Sequence, residues 1–216
     1  MDFTLGIDIG ELERADEQEP VRLNPPTWLS YDRIAQVSDP TKHLIRRQEL
    51  GDMAEKAWAA GTGTDRSSIE HVFVLTMMWG SGTTNGRGPR YTKEALSTGT
   101  VADVLTTARS LLAGGNIPDA YDLHRRLPGV GPAFFTKLLW VLGQTVDISP
   151  APLILDSFVW KSLGSLKWNS QTAAGGSRRR GDRYLAYLQA CEAWAGEQFS
   201  PEDVEYTLFM RARHPR

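Results

Sequence analysis

Two ionisable side chains lie in apolar stretches of the sequence. Lys137 is in a predicted helix that is apolar almost all round. A lysine amine whose pKa is lowered by its surroundings is a nucleophile that can form a Schiff base. Asp156 follows the apolar run 152–155 and starts a predicted amphipathic helix, so its carboxylate can stabilise nearby positive charge or simply cap that helix. For Lys137 the alternative is a lysine that extends its amine out of a core helix to solvent.

A glycine-containing turn, Pro128-Gly129-Val130-Gly131, lies upstream between two predicted helices. The glycines permit turn conformations and let another molecule approach the backbone without a Cβ in the way. Val130 can then point into the core. The free N–H groups at the start of the following helix form an anion site that suits a DNA phosphate and positions a duplex without reading its sequence. A helix–turn–helix whose glycines are purely structural is the alternative.

The segment Leu-Pro-Gly-Val-Gly at 127–131, followed by Asp156 at a helix start, resembles the helix–hairpin–helix DNA glycosylase superfamily, and most closely its 8-oxoguanine branch. The resemblance implies that Asp156 lies beside the deoxyribose and stabilises the positive charge that develops as the N-glycosidic bond breaks. It also implies a Schiff-base lysine on the helix after the hairpin. The matching position holds Ala133, and Lys137 is one turn further along the same face, which makes it the predicted nucleophile.

Three features depart from the pattern of the superfamily. Phenylalanines at 134–135 stand where many members have a small residue, and the lysine is displaced to position 137. Gly131 precedes Asp156 by 25 positions, which is longer than usual, and Asp147, 16 positions after Gly131, is the other candidate acid. Asp156 is preferred because a helical pattern follows it, whereas prolines follow Asp147 closely.

Groups of arginines and tryptophans supply the remaining candidate site residues. Arginines in a glycine-rich stretch and in a consecutive run can contact phosphates, although each group can equally be a solvated surface turn. An extruded base needs aromatic partners, although each tryptophan can equally belong to the core. The predicted DNA-binding residues are Gly129, Val130, Gly131, Arg87, Arg90, Arg178, Arg179 and Arg180; the predicted base-pocket residues are Trp79, Trp140, Trp160 and Trp168; Thr84 or Asn85 is a candidate to probe a base edge.

The apolar periodicity predicts an all-α protein. A compact multi-helix domain, 31–216, follows an irregular arm, 1–30, that is acidic and then broken by prolines. No stretch alternates apolar and polar residues convincingly over the length of a strand. Helices are predicted at 39–58, 67–79, 101–112, 120–127, 132–142, 157–163, 182–197 and 201–213, with the helix–hairpin–helix motif at about 120–142, and long loops at 80–90 and 165–181.

Composition excludes several classes of protein. The 216 residues carry a formal charge of −2, with an acidic segment at 1–20 and a net positive remainder. The single cysteine, Cys191, excludes a disulfide framework, a Cys-based zinc cluster and an iron–sulfur cluster, so no cofactor or metal is expected. No apolar run approaches the roughly 20 residues that cross a bilayer, and the N-terminus lacks the pattern of a secretory signal. We expect a monomer in the cytoplasm, associated with DNA.

The observations favour a DNA glycosylase that excises a damaged or modified base, such as 8-oxoguanine, from double-stranded DNA. Lys137 as the nucleophile implies an additional AP-lyase activity, in which β-elimination cleaves the strand. The alternative is a catalytically inactive helix–hairpin–helix module that binds DNA, and the displaced lysine and the bulky phenylalanines favour it. The sequence leaves open which base is excised and whether the enzyme is monofunctional.

Overall fold

The computed structural model describes residues 12–30, 32–37, 44–59 and 65–214, and in these the regular secondary structure is almost all helical, which confirms the predicted all-α class. Its α-helices are α1 (Pro25–Leu29), α2 (Asp32–Val37), α3 (Arg47–Ala59), α4 (Arg66–Ser81), α5 (Gly88–Ser97), α6 (Val101–Ala113), α7 (Ile117–Asp122), α8 (Pro132–Gly143), α9 (Ser157–Ser165), α10 (Ser170–Ala173), α11 (Arg180–Ala195) and α12 (Pro201–Arg213). Short 3-10 helices lie at Ala15–Glu17, Gly82–Thr84 and Leu123–Arg126. Within the described residues, no helix has the length and apolar character needed to span a bilayer.

Helices α4 and α8 form the centre of the molecule. Residues 72–79 of α4 and 135–142 of α8 are all buried. A helix that is apolar on every side must be covered on every side, and α3 and α6 pack against both. The start of α4 is fixed by Asp65, whose carboxylate accepts hydrogen bonds from the backbone N–H groups of Ser67 and Ser68.

Helices α9, α11 and α12 pack beside this centre. The hydroxyl of Ser162 on α9 donates to the carbonyl of Leu208 on α12 at 2.5 Å. The start of α12 is a capping box in which Ser200 and Asp203 exchange side-chain and backbone hydrogen bonds. The arrangement brings the start of α9 close to α8, where the predicted catalytic residues lie.

Residues 12–30 pack against the helices, although their prolines and acidic residues predicted part of an irregular arm. The backbone N–H of Ala15 donates to Asp203 Oδ1 at 2.8 Å. Trp28 of α1 is fully buried, and its indole N–H donates to Asn85 Oδ1 at 2.7 Å. Apolar residues between the charged ones supply this packing. Residues 1–11 of the predicted arm lie outside the described residues.

Both predicted loops contain helices. The stretch 80–90 ends in α5, which begins at Gly88 because Pro89 suits the first turn of a helix. The stretch 165–181 includes α10, whose first N–H groups are bonded by the side chain of Asn169. Glycine and arginine content therefore indicated longer loops than the fold has.

The predicted helix 39–58 begins later than expected. Residues 44–45 form strand β2 (Leu44–Ile45), which pairs antiparallel with β1 (Val21–Arg22), and α3 starts at Arg47. Residues 38–43 lie outside the described residues. The predicted helix 120–127 is also divided, since α7 passes into a 3-10 helix before the glycine turn.

Candidate functional site

Lys137 and Asp156 form a buried ion pair. The Nζ of Lys137 lies 3.1 Å from Oδ2 of Asp156. Only 7% of Lys137 and 9% of Asp156 is exposed. Lys137 is on α8 and Asp156 directly precedes α9, so the fold brings together the two predicted catalytic side chains. A buried amine and a buried carboxylate in contact compensate each other's charge.

The carboxylate of Asp156 is oriented by the start of α9. Its Oδ1 accepts hydrogen bonds from the backbone N–H groups of Phe158 at 2.9 Å and Val159 at 3.2 Å. Its Oδ2 is left to face Lys137. The aspartate is thus a helix cap and also the partner of an amine, so the two interpretations of its role are compatible.

The extended segment that leads to the aspartate is held from two sides. On one side, the hydroxyl groups of Tyr184 and Tyr187 on α11 donate to the carbonyls of residues 153–154 at 2.7 and 2.9 Å. Burial raises the pKa of both phenols, so both stay protonated and keep donating. On the other side, the backbone N–H of Leu155 donates to Thr136 Oγ1 on α8 at 3.0 Å. These bonds fix the carboxylate relative to α8.

The side chain of Lys137 lies against Gly80, near the end of α4. A Cβ at position 80 would stand 2.8 Å from the Cδ of Lys137 and 3.0 Å from the Phe134 ring. The amine lies 6.0 Å from the centre of that ring and 3.4 Å from the carbonyl oxygen of Ala133. The glycine leaves room for the lysine side chain. The sequence assigned Gly80 to a loop and gave no sign of this contact.

The glycine turn presents its backbone at the start of α8. Gly129 has a φ of +75°, and a Cβ there would lie 2.6 Å from the ring of Tyr91 on α5. Val130 is buried, as predicted from its position between the glycines. Gly131 is exposed, and a Cβ there would meet no atom within 4 Å. Pro132 has no N–H, and the N–H groups of Phe134 and Phe135 bond to the carbonyl of Gly131 at 3.1 and 3.0 Å. The backbone N–H groups of Gly131 and Ala133 therefore remain for a ligand at the start of α8, about 7 Å along the helix axis from Lys137.

Arg87 and Arg90 lie at the start of α5, beside the glycine turn. Both are exposed. Arg87 Nη1 lies 3.3 Å from the hydroxyl of Tyr91, and Arg90 Nε lies 2.8 Å from Glu94 Oε1. Between α5 and the turn is an open pocket of about 500 Å³, lined by Arg90, Lys93, Glu94, Ser97 and Pro128.

The arginine run 178–180 divides into two kinds of residue. Arg178 and Arg180 are exposed at the start of α11. Arg179 bonds Asp119, and its Nε lies 2.8 Å from Asp122 Oδ2. The bond to Asp119, and after it the bond to Asp122, raises the pKa of Arg179. The bond to Arg179 in turn lowers the pKa of Asp119. Arg179 thus joins α11 to α7, with its charge already compensated.

The predicted base-pocket tryptophans lie in different environments. Trp79, Trp140 and Trp168 are buried in the core, whereas Trp160 is 40% exposed on the first turn of α9. Trp160 is four residues after Asp156 and thus on the same side of the helix start.

The two candidates for probing a base edge also differ. Asn85 is buried and holds the indole N–H of Trp28, so it is a structural residue. Thr84 is exposed and donates to the carbonyl of Ser81.

Asp147 and Cys191 take no part in the Lys137–Asp156 contact. Asp147, the other candidate acid, is exposed in the segment after α8. Cys191 is buried, and burial raises the pKa of its thiol. In the part of the chain that the structure describes, no three His, Cys, Asp or Glu side chains form a group that could hold a metal ion.

Sequence reasoning missed a buried charged cluster next to the pair. Arg47 Nη2 lies 2.5 Å from Glu205 Oε2, and Arg47 Nε lies 3.8 Å from Glu202 Oε2. The guanidinium carbon stands 4.5 Å from the centre of the Trp140 ring, whose N–H donates to Glu202 Oε1 at 2.9 Å. Burial raises the pKa of Glu205 to about 7, against the opposing effect of Arg47. The spacing of the two glutamates alone is typical of an exposed helix face, so it gave no signal.

The sequence was compared with the models of known protein families. The family model described as "Putative 8-oxoguanine DNA glycosylase OGG-like protein" matches residues 14–209, about nine-tenths of the chain. The matched range includes the glycine turn, Lys137, Asp156 and the charged cluster. No curated protein and no solved structure matches the chain at a significant level.

Proposed function

Because the chain belongs to the 8-oxoguanine DNA glycosylase OGG-like family, we propose that it is a DNA glycosylase that excises an oxidised guanine or a related damaged base and then cleaves the strand. Its partner is double-stranded DNA containing the damaged base, on which it acts as a monomer in the cytoplasm. The observation that carries the proposal is the buried contact between Lys137 Nζ and Asp156 Oδ2 at 3.1 Å. It joins an amine that can attack C1′ to a carboxylate that can stabilise the sugar cation.

The first chemical step takes place at C1′ of the extruded nucleotide. As the N-glycosidic bond breaks, its electron pair leaves with the base, which takes up a proton from water. The carboxylate of Asp156 stabilises the positive charge on the sugar. The ammonium of Lys137 must lose a proton before it can attack, and Asp156 Oδ2 is the atom in position to accept it. The neutral amine then bonds to C1′.

The second step follows from the bond between Lys137 and C1′. Ring opening gives a Schiff base, whose positive nitrogen acidifies the proton on C2′. Transfer of that proton to water forms a C2′–C3′ double bond and expels the 3′ phosphate by β-elimination, which cuts the strand. Water then releases the lysine. This sequence needs no metal or cofactor, so the amine and the carboxylate supply the chemistry.

DNA binding is proposed for the glycine turn and the exposed arginines around it. The space at Gly131 is open, so the N–H groups of Gly131 and Ala133 at the start of α8 can receive a phosphate. Arg87 and Arg90 at the start of α5 lie beside the same turn, and Arg178 and Arg180 add positive charge at the start of α11. Such contacts position the duplex and carry no sequence information.

For the extruded nucleotide, Trp160 is the best-placed aromatic residue. It is exposed one turn after Asp156, so its ring can contact the nucleotide or fill the gap that the base leaves. Trp140 and Trp168 reach a base only if the core opens, since both are buried. Trp79 is buried too, but it is adjacent to Gly80 and thus close to Lys137.

The proposal is tested by single-turnover base release from duplexes that each carry one lesion, including 8-oxoguanine. We expect release from at least one lesion, and a loss of at least about a hundredfold in Asp156→Asn. Asp147→Asn is the matched control, because Asp147 is exposed and was the other candidate acid. Loss of release in Asp147→Asn but not in Asp156→Asn would contradict the assignment.

The second candidate function is a DNA-binding module without catalysis. The observation that favours it is the position of the lysine, one turn beyond Ala133 and beside the bulky Phe134. Duplex binding at wild-type level with no release of any base in the panel would support this module. Base release that persists in Lys137→Ala, but not in Asp156→Asn, would indicate a monofunctional glycosylase.

A further inference from the structure

Three charged residues, Arg47, Glu202 and Glu205, form a cluster next to α8, the helix that carries Lys137. Arg47 comes from α3, and Glu202 and Glu205 come from successive turns of α12. Arg47 and Glu205 are almost fully buried, 7% and 2% exposed, and their side chains meet at 2.5 Å. The Nε of Arg47 is buried and has no hydrogen-bond partner. Such a cluster is costly to bury, so its position needs an explanation.

The cluster is attached to α8 through Trp140. The indole N–H of Trp140 donates to Glu202 Oε1 at 2.9 Å. The guanidinium of Arg47 covers the indole ring at 4.5 Å, within the range of a cation–π contact. Trp140 lies three residues after Lys137, one turn along the same helix and on the same side. Because Trp140 and Lys137 are on one helix, a rotation of α8 that moved the Trp140 ring would also move the Lys137 side chain.

The cluster is also attached to the helix that orients Asp156. Helix α12, which carries both glutamates, packs along α9 and is bonded to it by the Ser162 hydroxyl. The charge of Asp156 is close enough to raise the pKa of Glu205. The cluster thus bridges the helix of the amine and the helix of the carboxylate. A shift of about 1 Å between two reacting groups can cost about a hundredfold in rate.

We infer that Arg47, Glu202 and Glu205 are positioning residues, which hold the Lys137 amine against Asp156 by fixing Trp140 between α3 and α12. They touch neither substrate nor reacting atoms. The inference rests on the proposed function, since the reaction is what the positioning serves. Beyond the proposed function, we expect loss of the polar contacts of Trp140 to slow the chemical step without changing the affinity for the duplex.

The test compares variants that remove the indole–glutamate bond. Trp140→Phe removes the donor, and Glu202→Leu removes the acceptor. Each lowers the single-turnover rate of base release about tenfold, with the Kd for the lesion duplex within about twofold of wild type. Glu202→Gln keeps an acceptor oxygen and restores the rate to within about threefold of wild type. The matched control is Glu192→Leu on α11, which removes a carboxylate that accepts a bond from Ser149 at 2.9 Å.

The rates can overturn the inference in two ways. If the variants release base at the wild-type rate, or if the Kd rises by the same factor as the rate falls, the cluster has no positioning role. If Glu202→Gln is as slow as Glu202→Leu, the bond to Trp140 is not the cause.

A second measurement separates failure of this inference from failure of the proposed function. It follows hydrogen exchange of the Lys137 ammonium by NMR in the free protein, where no catalysis is needed. Exchange becomes about tenfold faster in Trp140→Phe and Glu202→Leu and stays unchanged in Glu192→Leu. If the wild type releases no base from any lesion, the proposed function fails, and the exchange rates alone decide the positioning. Equal exchange in all four proteins would overturn it.

Discussion

Gly80 on α4 lies so close to Lys137 on α8 that a Cβ at position 80 would stand 2.8 Å from the Cδ of the lysine. The two residues are 57 positions apart in sequence, and their contact sets the path of the lysine side chain towards Asp156. The atom in the way belongs to a flexible side chain, so an added methyl group displaces the lysine more readily than it displaces the helices.

Gly80→Ala is therefore expected to slow base release with little effect on stability. The displaced amine moves away from Asp156, which lowers the single-turnover rate between about tenfold and a hundredfold. The matched control is Gly164→Ala on α9, where a Cβ meets no atom within 4 Å. Both substitutions place alanine in a helix, which favours folding by about 0.5–1 kcal/mol. An active Gly80→Ala protein would show that the lysine path is unimportant.

The two glycines of the turn are expected to respond differently to alanine. Gly129→Ala lowers the free energy of unfolding, because its φ is +75° and its Cβ would meet the Tyr91 ring at 2.6 Å. Gly131→Ala leaves stability within about 0.5 kcal/mol of wild type. It weakens duplex binding about tenfold, because the new methyl group stands where a phosphate approaches the N–H groups of α8. Denaturant unfolding and titration with duplex DNA measure the two effects. Unchanged DNA affinity in Gly131→Ala would exclude the turn from the interface.

Neighbouring arginines at the start of α11 are expected to have different roles. Arg178→Ala removes an exposed charge and lowers the slope of log K against log salt by about one, as loss of one phosphate contact does. Arg179→Ala breaks the bonds to Asp119 and Asp122 and lowers the unfolding midpoint by a few degrees at most. Its salt slope stays at the wild-type value. If the slope of log K against log salt falls more in Arg179→Ala than in Arg178→Ala, then Arg179 contacts the phosphate and Arg178 does not.

Glu205 is expected to make stability depend on pH. Its pKa is raised from 4.5 to about 7 by burial, so the folded protein keeps a proton that the unfolded chain releases between these values. The free energy of unfolding therefore falls as pH rises through that window, by at most about 3 kcal/mol relative to Glu205→Gln. Denaturant unfolding of both proteins between pH 4.5 and 8 measures the difference. The charged groups that act on Glu205 are Arg47, Glu202 and Asp156. Glu205 in turn raises the pKa of Tyr184, Tyr187 and Cys191, each of which is raised mainly by burial.

The same variant separates stability from function. Glu205→Gln gains stability relative to the wild type as pH rises, yet it is expected to release base more slowly at pH 8, because the uncharged amide holds Arg47 less firmly. Stability curves that run parallel over the whole pH range would contradict the raised pKa of Glu205.

Local patterns predicted the two central residues but not their surroundings. An isolated lysine in an apolar helix and an aspartate before an amphipathic helix are visible within a few positions, and so is the turn around Val130. The same holds for the all-α class, because apolar periodicity is a local signal. Helix α5 was hidden because Gly88 and Pro89 indicate a loop unless the proline occupies the first turn of a helix.

What the sequence could not predict depends on contacts between distant segments. Arg47 and Glu205 are 158 positions apart, and nothing near either residue indicates a buried partner. Arg179 belonged to a basic run, and its acidic partners on α7 are about 60 positions away. The environment of Trp140 could not be predicted either. The apolar helix around Trp140 indicates a position in the core, but nothing nearby indicates that the indole N–H donates to Glu202.

The central claim is that the amine of Lys137 forms the covalent bond to C1′ of the damaged nucleotide. The most direct measurement is borohydride trapping on the duplex whose lesion is released fastest, followed by peptide mapping of the adduct by mass spectrometry. An adduct is expected on Lys137, absent in Lys137→Ala and present at wild-type yield in Lys161→Ala, whose lysine is exposed on α9. An adduct on another residue, or trapping by Lys137→Ala at the wild-type yield, would contradict it.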